Sequence, residues 1–545
     1  MQLPVSTAQQ RSGLSYKWIV AMVVIFGLFM TILDATIVNI AIPRLQNVFG
    51  ASLTSVQWVL TAYTLMQGVA TPLTAFLSQR IGQKRLYLLA LAGFTVGSAL
   101  CGLSWNLPML IFFRILQGAM GAFMSPLAIT LLWTEFPPQE RGTAMGALGI
   151  PILLAPAFGP TLGGYIVTYL GWQLIFFINV PIGIIGIILG IIFLRGGRAE
   201  ARTPFDIPGF FLASIGLACL LYGLSDASTD GWTSAKVMGF LAVGLISLAV
   251  FVVVELRMAF RGGQPLLDLR VFANGPFTTS NITSVLVTFA LYGGLFIIPV
   301  YLQNLRGLSA FQAGLLLLPQ AFASMVAAVV GGRLVDKFGV RAVVIPGLVI
   351  LGTALWLFTS LSATTPYSTI QLWLIGRSLA LGLCFQPLAV SALSEIRPRH
   401  LPQATSVNTT VRFVMSSFAV AVMATLVQTQ SAIHYAHLAD QVTSVSPLGQ
   451  LVPELQALFM QQGAAASTAY ATAIQIISGL VRRQATILAM QDAFRLSVVL
   501  TGVAIIAACF VRYRRVVPVT PTERPLSEQE QQEREAAEEE AMLAI

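Results

Sequence analysis

Charge is scarce in this chain. Only 10% of its 545 residues are Asp, Glu, Lys or Arg, whereas a soluble domain carries about 25%. With 56% hydrophobic residues, the shortage excludes a water-soluble enzyme or binding module. Cysteine is also sparse. Cys101, Cys219, Cys384 and Cys509 all fall inside apolar stretches, without ligand spacing, so they form neither a disulfide framework nor a thiolate metal site. Of the three histidines, His434 and His437 lie three apart with no cluster of Cys or acids beside them, and no metal site is expected. A phosphate-binding loop and a Ser-His-Asp set are absent, and the Gly-rich stretches do not follow strands. Neither an enzyme nor a cofactor is expected.

Long apolar runs fill the space. Fourteen can be read, from 18–42 to 489–512. Each is long enough for a hydrocarbon core of about 30 Å, and each must be a helix, because lipid offers the backbone no partners. The expectation is an all-α membrane protein with a retained first span. Net charge is +9, but the segment from Glu523 to Glu540 holds eight acids and two arginines, so the rest carries +15. Arg141, Arg195, Arg257 and Arg333, with other basic residues, fall on one side of the spans. This is the positive-inside bias, not a nucleic-acid surface, and it places both termini in the cytoplasm.

One carboxylate, Asp34, lies deep inside a span, in an otherwise mostly apolar run from Leu33 to Pro43. Acids at membrane depth are costly and mark proton, ion or cation sites. Asp34 lies nine residues below Pro43, roughly 13 Å, and Arg114 six residues below Pro108, roughly 9 Å. The similar depth predicts a pair that couples proton movement to transport. Arg377 is a second buried cation. Arg412 reads as anchored to backbone carbonyls, and Asp492 with Arg495 as a local helical pair.

Two short loops resemble one another, residues 75–85 and 332–341, each followed by a buried Arg and then by a Pro-Leu-Ala (Pro126, Pro387). The repeat divides the chain into a cytoplasmic N-terminus at 1–17 and a six-helix half at 18–194. A linker with two inserted transmembrane helices follows at 195–270, then a second six-helix half at 271–515. An outer loop, 430–488, interrupts that half, and an acidic cytoplasmic tail occupies 516–545. Sites in such transporters lie between the halves.

The motifs then resemble a family. The run from Leu33 to Pro43, Arg114-Ile115-Leu116-Gln117-Gly118, the stretch from Ala155 to Gly164, Trp172 through Gly183, and Pro265 through Arg270 are together similar to the major facilitator superfamily. The resemblance is to its 14-span drug:proton antiporter branch (EmrB/QacA type). The loop at 75–85 departs from the family pattern: Ala75 replaces a Gly and Gln79 an Asp, whereas Asp336 keeps the acid in the second loop.

The resemblance implies the major facilitator fold and conformational gating by Arg80, Gly82, Lys84, Arg85, Asp336, Lys337, Gly339 and Arg341. It implies an antiporter motif at Pro156, Gly159, Pro160, Gly163 and Gly164, with close packing across the two halves. A substrate cavity is expected at Asn39, Trp58, Tyr63, Gln67, Tyr292, Phe296, Tyr301 and Gln303. The function implied is proton-coupled multidrug export of lipophilic, aromatic or cationic compounds. A dedicated exporter of one metabolite, antibiotic, siderophore or lipid is the alternative, and a transport-inactive sensor a second. The expected setting is the bacterial inner membrane, as a monomer. Its partners are the lipid bilayer, small-molecule substrates, protons and a periplasmic adaptor protein.

Overall fold

Glycine, proline and short polar caps punctuate long apolar helices. The computed structural model describes residues 15–196, 205–443 and 445–511. The N-terminus before residue 15, Arg198 and Arg202 in the linker, and the acidic tail lie outside the described residues.

The first half comprises α1 (Tyr16–Phe49), α2 (Leu53–Ala70), α3 (Leu73–Ile81), α4 (Gln83–Gly102), α5 (Leu107–Gly121), α6 (Met124–Glu135), α7 (Arg141–Tyr169), α8 (Leu174–Phe177) and α9 (Asn179–Phe193). Two helices follow, α10 (Ile207–Asp230) and α11 (Ala235–Phe260). The second half comprises α12 (Gly275–Val300), α13 (Ala310–Phe338), α14 (Val340–Phe358), α15 (Tyr367–Leu393), α16 (Leu401–Asp440), α17 (Pro447–Gln461) and α18 (Ala466–Phe510). Side chains start several of these by accepting a backbone N–H: Asn106 from Met109, Asn274 from Phe277, and Ser309 from Gln312 in a capping box.

Thirteen helices among the described residues are long and apolar enough to cross a membrane. The second of the fourteen expected spans falls on α2 and α3, which a turn at Thr71 and Pro72 separates. Proline lacks the N–H that a continuous helix would need there.

The repeat is visible in backbone geometry. Gly82 ends α3 and Gly339 ends α13, both at φ +87°, a conformation that L side chains rarely adopt. Each is followed at once by another helix.

The inserted pair packs on both halves through α10 and the turn that follows it. Trp58 of α2 stacks on Tyr222 of α10 with centroids 5.5 Å apart. Trp232, between α10 and α11, donates its Nε1–H to Thr425 of α16 at 2.7 Å. The expected outer loop at 430–488 is mostly helix: α16 continues to Asp440, and α18 begins at Ala466. His434 of α16 lies 2.7 Å from Asp492 of α18, and Arg495 donates to Asp492 at 2.6 Å. Asp492 is therefore shared between two helices and is more than a local pair.

Candidate functional site

Asp34 and Arg114 meet in the first half. Both side chains are fully enclosed, and Arg114 Nη1 donates to Asp34 Oδ2 at 2.5 Å. A hydrogen-bonded shell completes the carboxylate. Its Oδ1 accepts from Gln117 Nε2 at 3.0 Å and from Asn179 Nδ2 at 2.9 Å. Asn179 also donates to Ser98 Oγ at 3.0 Å. Arg114 Nε reaches the Val59 carbonyl at 3.1 Å, and its Cζ lies 3.8 Å from the Tyr63 ring centroid. An Arg is always charged, and a buried ion pair is tolerable only when its remaining hydrogen-bonding capacity is met. Here Arg114 Nη2 and Asn179 Oδ1 still have no partner among the described residues. The cluster is therefore nearly, but not wholly, satisfied.

Local sequence explains the convergence. The three-residue spacing of Arg114 and Gln117 puts both on one face of α5, and Arg114 Nη1 donates to Gln117 Oε1 at 2.8 Å. Gly118 lets α5 approach α2: a Cβ there would lie 2.5 Å from the Tyr63 carbonyl oxygen. Gln117 and Asn179 both sit inside the resembling motifs, so their presence was visible in the sequence while their contact with Asp34 was not. Ser98 had no such signal.

The expected cavity residues scatter. Asn39 is exposed, and Tyr292 and Gln303 are partly so. Trp58 is directed at α10. Tyr63 and Gln67 are buried instead of lining an open surface: Tyr63 lies beneath Arg114, and Gln67 donates to its hydroxyl at 2.9 Å. Tyr301 is buried too, donating to the Ser362 carbonyl at 2.7 Å. The Phe296 side chain lies outside those described.

The gating residues divide in the same manner. Asp336 is clasped by α7, accepting from Gly142 N and Thr143 N at 2.8 Å each and from Thr143 Oγ1 at 2.6 Å. This is anion capture at a helix N-terminus, and it joins the two halves. Lys84 donates to the carbonyls of Ile191 and Leu194, Arg341 donates to the Val511 carbonyl, and Lys337 lies over the Phe338 ring. Arg80 and Arg85 are exposed.

Among the described residues the other half lacks the same clasp, for a legible reason. A 3₁₀ turn precedes each receiving helix, Pro138–Glu140 before α7 and Pro398–His400 before α16. In that register Pro402 stands where Gly142 does, and Gln403 where Thr143 does. Pro402 has no N–H to give, and Gln79 has no charge to offer. Instead, Gln403 Oε1 accepts from Asp268 N at 3.2 Å, which ties the linker to α16. Burial works against the Asp268 charge, but hydrogen bonds from Arg270 prevail and hold the carboxyl below its usual range. A cavity of ≈ 260 Å³ opens beside this contact, lined by Gln79, Asp206, Asp268, Arg270, His400 and Gln403.

The glycines of α7 do two jobs: the 156–164 motif, expected to pack across the halves, also packs within its own half. Gly159 and Gly163 face α1 of their own half, where added Cβ atoms would lie 2.3 Å from Thr36 Oγ1 and 2.8 Å from Ile37 Cγ1. Gly164 lies near Phe311 of α13. Closer contact with α13 comes earlier in α7, at Gly142, Gly146 and Gly149. Pro156 is partly exposed, and the Pro160 side chain lies outside those described.

The sequence profile of the Major Facilitator Superfamily matches residues 24–420. The chain belongs to that superfamily. It is 36% identical to the uncharacterized MFS-type transporter YhcA of Bacillus subtilis over 425 residues, covering 78% of this chain and 79% of that one. It is 35% identical to the tetracenomycin C resistance and export protein of Streptomyces glaucescens, covering 71% and 70%. The human organic anion transporter MFSD10 (TETRAN) shares the fold, with TM-score 0.57 at 14% identity over 89% of this chain and 99% of its own. This is a multi-pass major facilitator transporter and not an enzyme. Glu255 of α11 and Asp206, which caps α10, both crowd Gly209, where a Cβ would meet their oxygens at 2.2 and 2.1 Å.

Proposed function

We propose that this major facilitator is a proton-coupled exporter of lipophilic compounds that works by alternating access across fourteen spans. The observation that carries the reading is the enclosed Asp34–Arg114 pair with Gln117 and Asn179 on the same carboxylate. In this arrangement Arg114 supplies the counter-charge to the Asp34 carboxylate. A rearrangement that withdraws the cation leaves a desolvated charge, which is costly at that depth. Taking a proton neutralises it. Loading and unloading that proton can bias the two conformations and drive substrate outward.

Contacts between the halves near the basic loops support a state closed on the cytoplasmic side. Besides the Asp336 clasp, Thr130 of α6 and Thr405 of α16 bond at 2.9 Å, and Ser406 donates to the Thr71 carbonyl at 2.9 Å. Both termini belong in the cytoplasm of a bacterial inner-membrane protein, with the α16–α18 hairpin outside as the surface for a periplasmic adaptor. A monomer suffices, because both halves are in one chain. The name of the Streptomyces relative favours a second reading, export of one dedicated antibiotic-like metabolite.

Energy coupling separates this reading from others. Inside-out vesicles containing the protein should accumulate substrate on imposition of a proton gradient, and a protonophore should abolish it. Uptake that persists on ATP with the gradient collapsed would overturn the proposal.

The clasp gives a further expected result. Charge-assisted hydrogen bonds contribute about 1.5–3 kcal/mol, so Asp336→Ala should shift the population toward cytoplasmic opening by about tenfold or more. The reporter is Thr405→Cys in a background without the native cysteines, labelled by an impermeant thiol reagent in inside-out vesicles. An unchanged labelling rate would show that the clasp does not hold this end closed.

A further inference from the structure

Arg114, Arg377 and Arg412 lie within membrane helices of the two halves, and the first two hydrogen-bond to other residues of the protein. Arg114 has Asp34. Arg377 donates Nη2 to the carbonyls of Ala290 and Leu291 at 3.2 and 2.9 Å. Arg412 of α16 was expected to find carbonyls of the same kind. It finds none: among the described residues it makes no hydrogen bond and no ion pair. Its contact is with an aromatic ring, its Cζ lying 4.2 Å from the centroid of Phe385 on α15.

Its position on α16 is informative. Thr405 faces the first half, through its bond to Thr130. Asn408 faces α12, donating to Asn281 at 2.9 Å. Arg412 comes seven residues after Thr405 and four after Asn408, which returns it to the same helix face. It therefore emerges along the seam between the halves, about two turns or roughly 10 Å beyond the Thr405 contact. The side chain is partly open there.

An unpaired cation in this setting is costly unless something charged or wet completes it. Two buried acids of the bundle lie elsewhere. Asp34 is held by Arg114, and Glu255 lies with Asp206 at the inserted helices. A guanidinium backed by a ring keeps its planar edge free, and that edge matches a carboxylate in a two-point contact. Few placed polar groups on an aromatic wall are the usual make-up of a small-molecule site.

We propose that Arg412 is an anion-recognising residue of the site between the halves, and that this exporter takes lipophilic aromatic compounds bearing a carboxylate or similar acidic head. Phe385 backs the guanidinium. The inference rests on the exporter reading for the location of the site, and it narrows the substrate class from cations toward organic anions.

The test is equilibrium binding to the purified full-length protein in nanodiscs at neutral pH, without a gradient. The probes are fluorescent pyrenebutyrate and its trimethylammonium counterpart, which share a body and differ in head charge. Wild type should bind pyrenebutyrate more tightly. Arg412→Gln should weaken that binding by about tenfold or more, since it removes a charge-assisted contact, and leave the ammonium probe within about twofold. Arg412→Lys should recover part of the loss, because a point charge replaces the fork. Equal or tighter binding of the ammonium probe by wild type would overturn the proposal without requiring any variant to fold. Equal weakening of both probes by Arg412→Gln would also overturn it. Because binding is read without a gradient, failure of proton-driven export would not produce either result.

Discussion

Asp34→Asn should abolish proton-driven export, lowering the rate by about a hundredfold or more, while neutral substrates still bind. Asn keeps the shape of Asp34 but replaces one of its two acceptor oxygens with a donor NH2, and it carries neither charge nor exchangeable acid. Arg114 would then stand enclosed without a counter-ion. Removing one partner of a buried pair costs about 3–5 kcal/mol, because the other charge is left unmatched. Arg114→Ala should therefore be as damaging as Asp34→Asn. The double change should be no worse than either single change, since each single change already breaks the unit. Export rates in vesicles across the full cycle provide the measurement, with detergent-resistant expression as a check on folding. Wild-type proton-driven efflux in Asp34→Asn would defeat the coupling role. Additive losses, measured on variants with residual activity, would show that the two residues act independently.

Gly332→Leu should be the most damaging change away from the ion pair. A Cβ at Gly332 would lie 2.3 Å from the Gly142 carbonyl oxygen and 3.1 Å from the Gly146 Cα. Both neighbours are backbone, so no side chain can swing aside. Overpacking a tight contact costs about 1–3 kcal/mol or more, and here the cost falls where α7 of one half meets α13 of the other. The expected outcome is a loss of most transport together with a lower unfolding temperature for the purified protein. Gly332→Ala should lie between Leu and wild type. Wild-type transport and thermal stability in Gly332→Leu would show that the seam can open at no cost.

Much of the site was legible before any coordinates. A lone acid among apolar residues stands out because burying charge in lipid is expensive, and helical rise converts residue counts into depth, which brought Arg114 to the level of Asp34. Gln117 was legible as a motif member on the same helix face as Arg114. Asn179 was legible as a motif member too, but its contact with Asp34 was not, because that approach depends on how α9 tilts against α4 and α1. Tyr63 shows the opposite error. An aromatic residue on a cavity helix looked available for substrate, yet α2 turns it inward beneath Arg114. Periodicity reports that a residue has a face, and only packing says what that face meets.

The sequence by itself determined the membrane class, the internal repeat and the ionisable residues that had to find partners. Hydrophobic length, turn glycines and the expense of buried charge are properties of the chain, independent of which helices become neighbours. The tertiary structure decided which partners they found. It set Gly159 and Gly163 against α1, close to Asp34, and gave Asp336 to the N-terminus of α7. It also left Arg412 without the carbonyls expected for it, beside Phe385 along the seam. Those outcomes depend on contacts between helices distant in sequence, where a rotation of one helix by a single residue, about 100°, exchanges one partner for another.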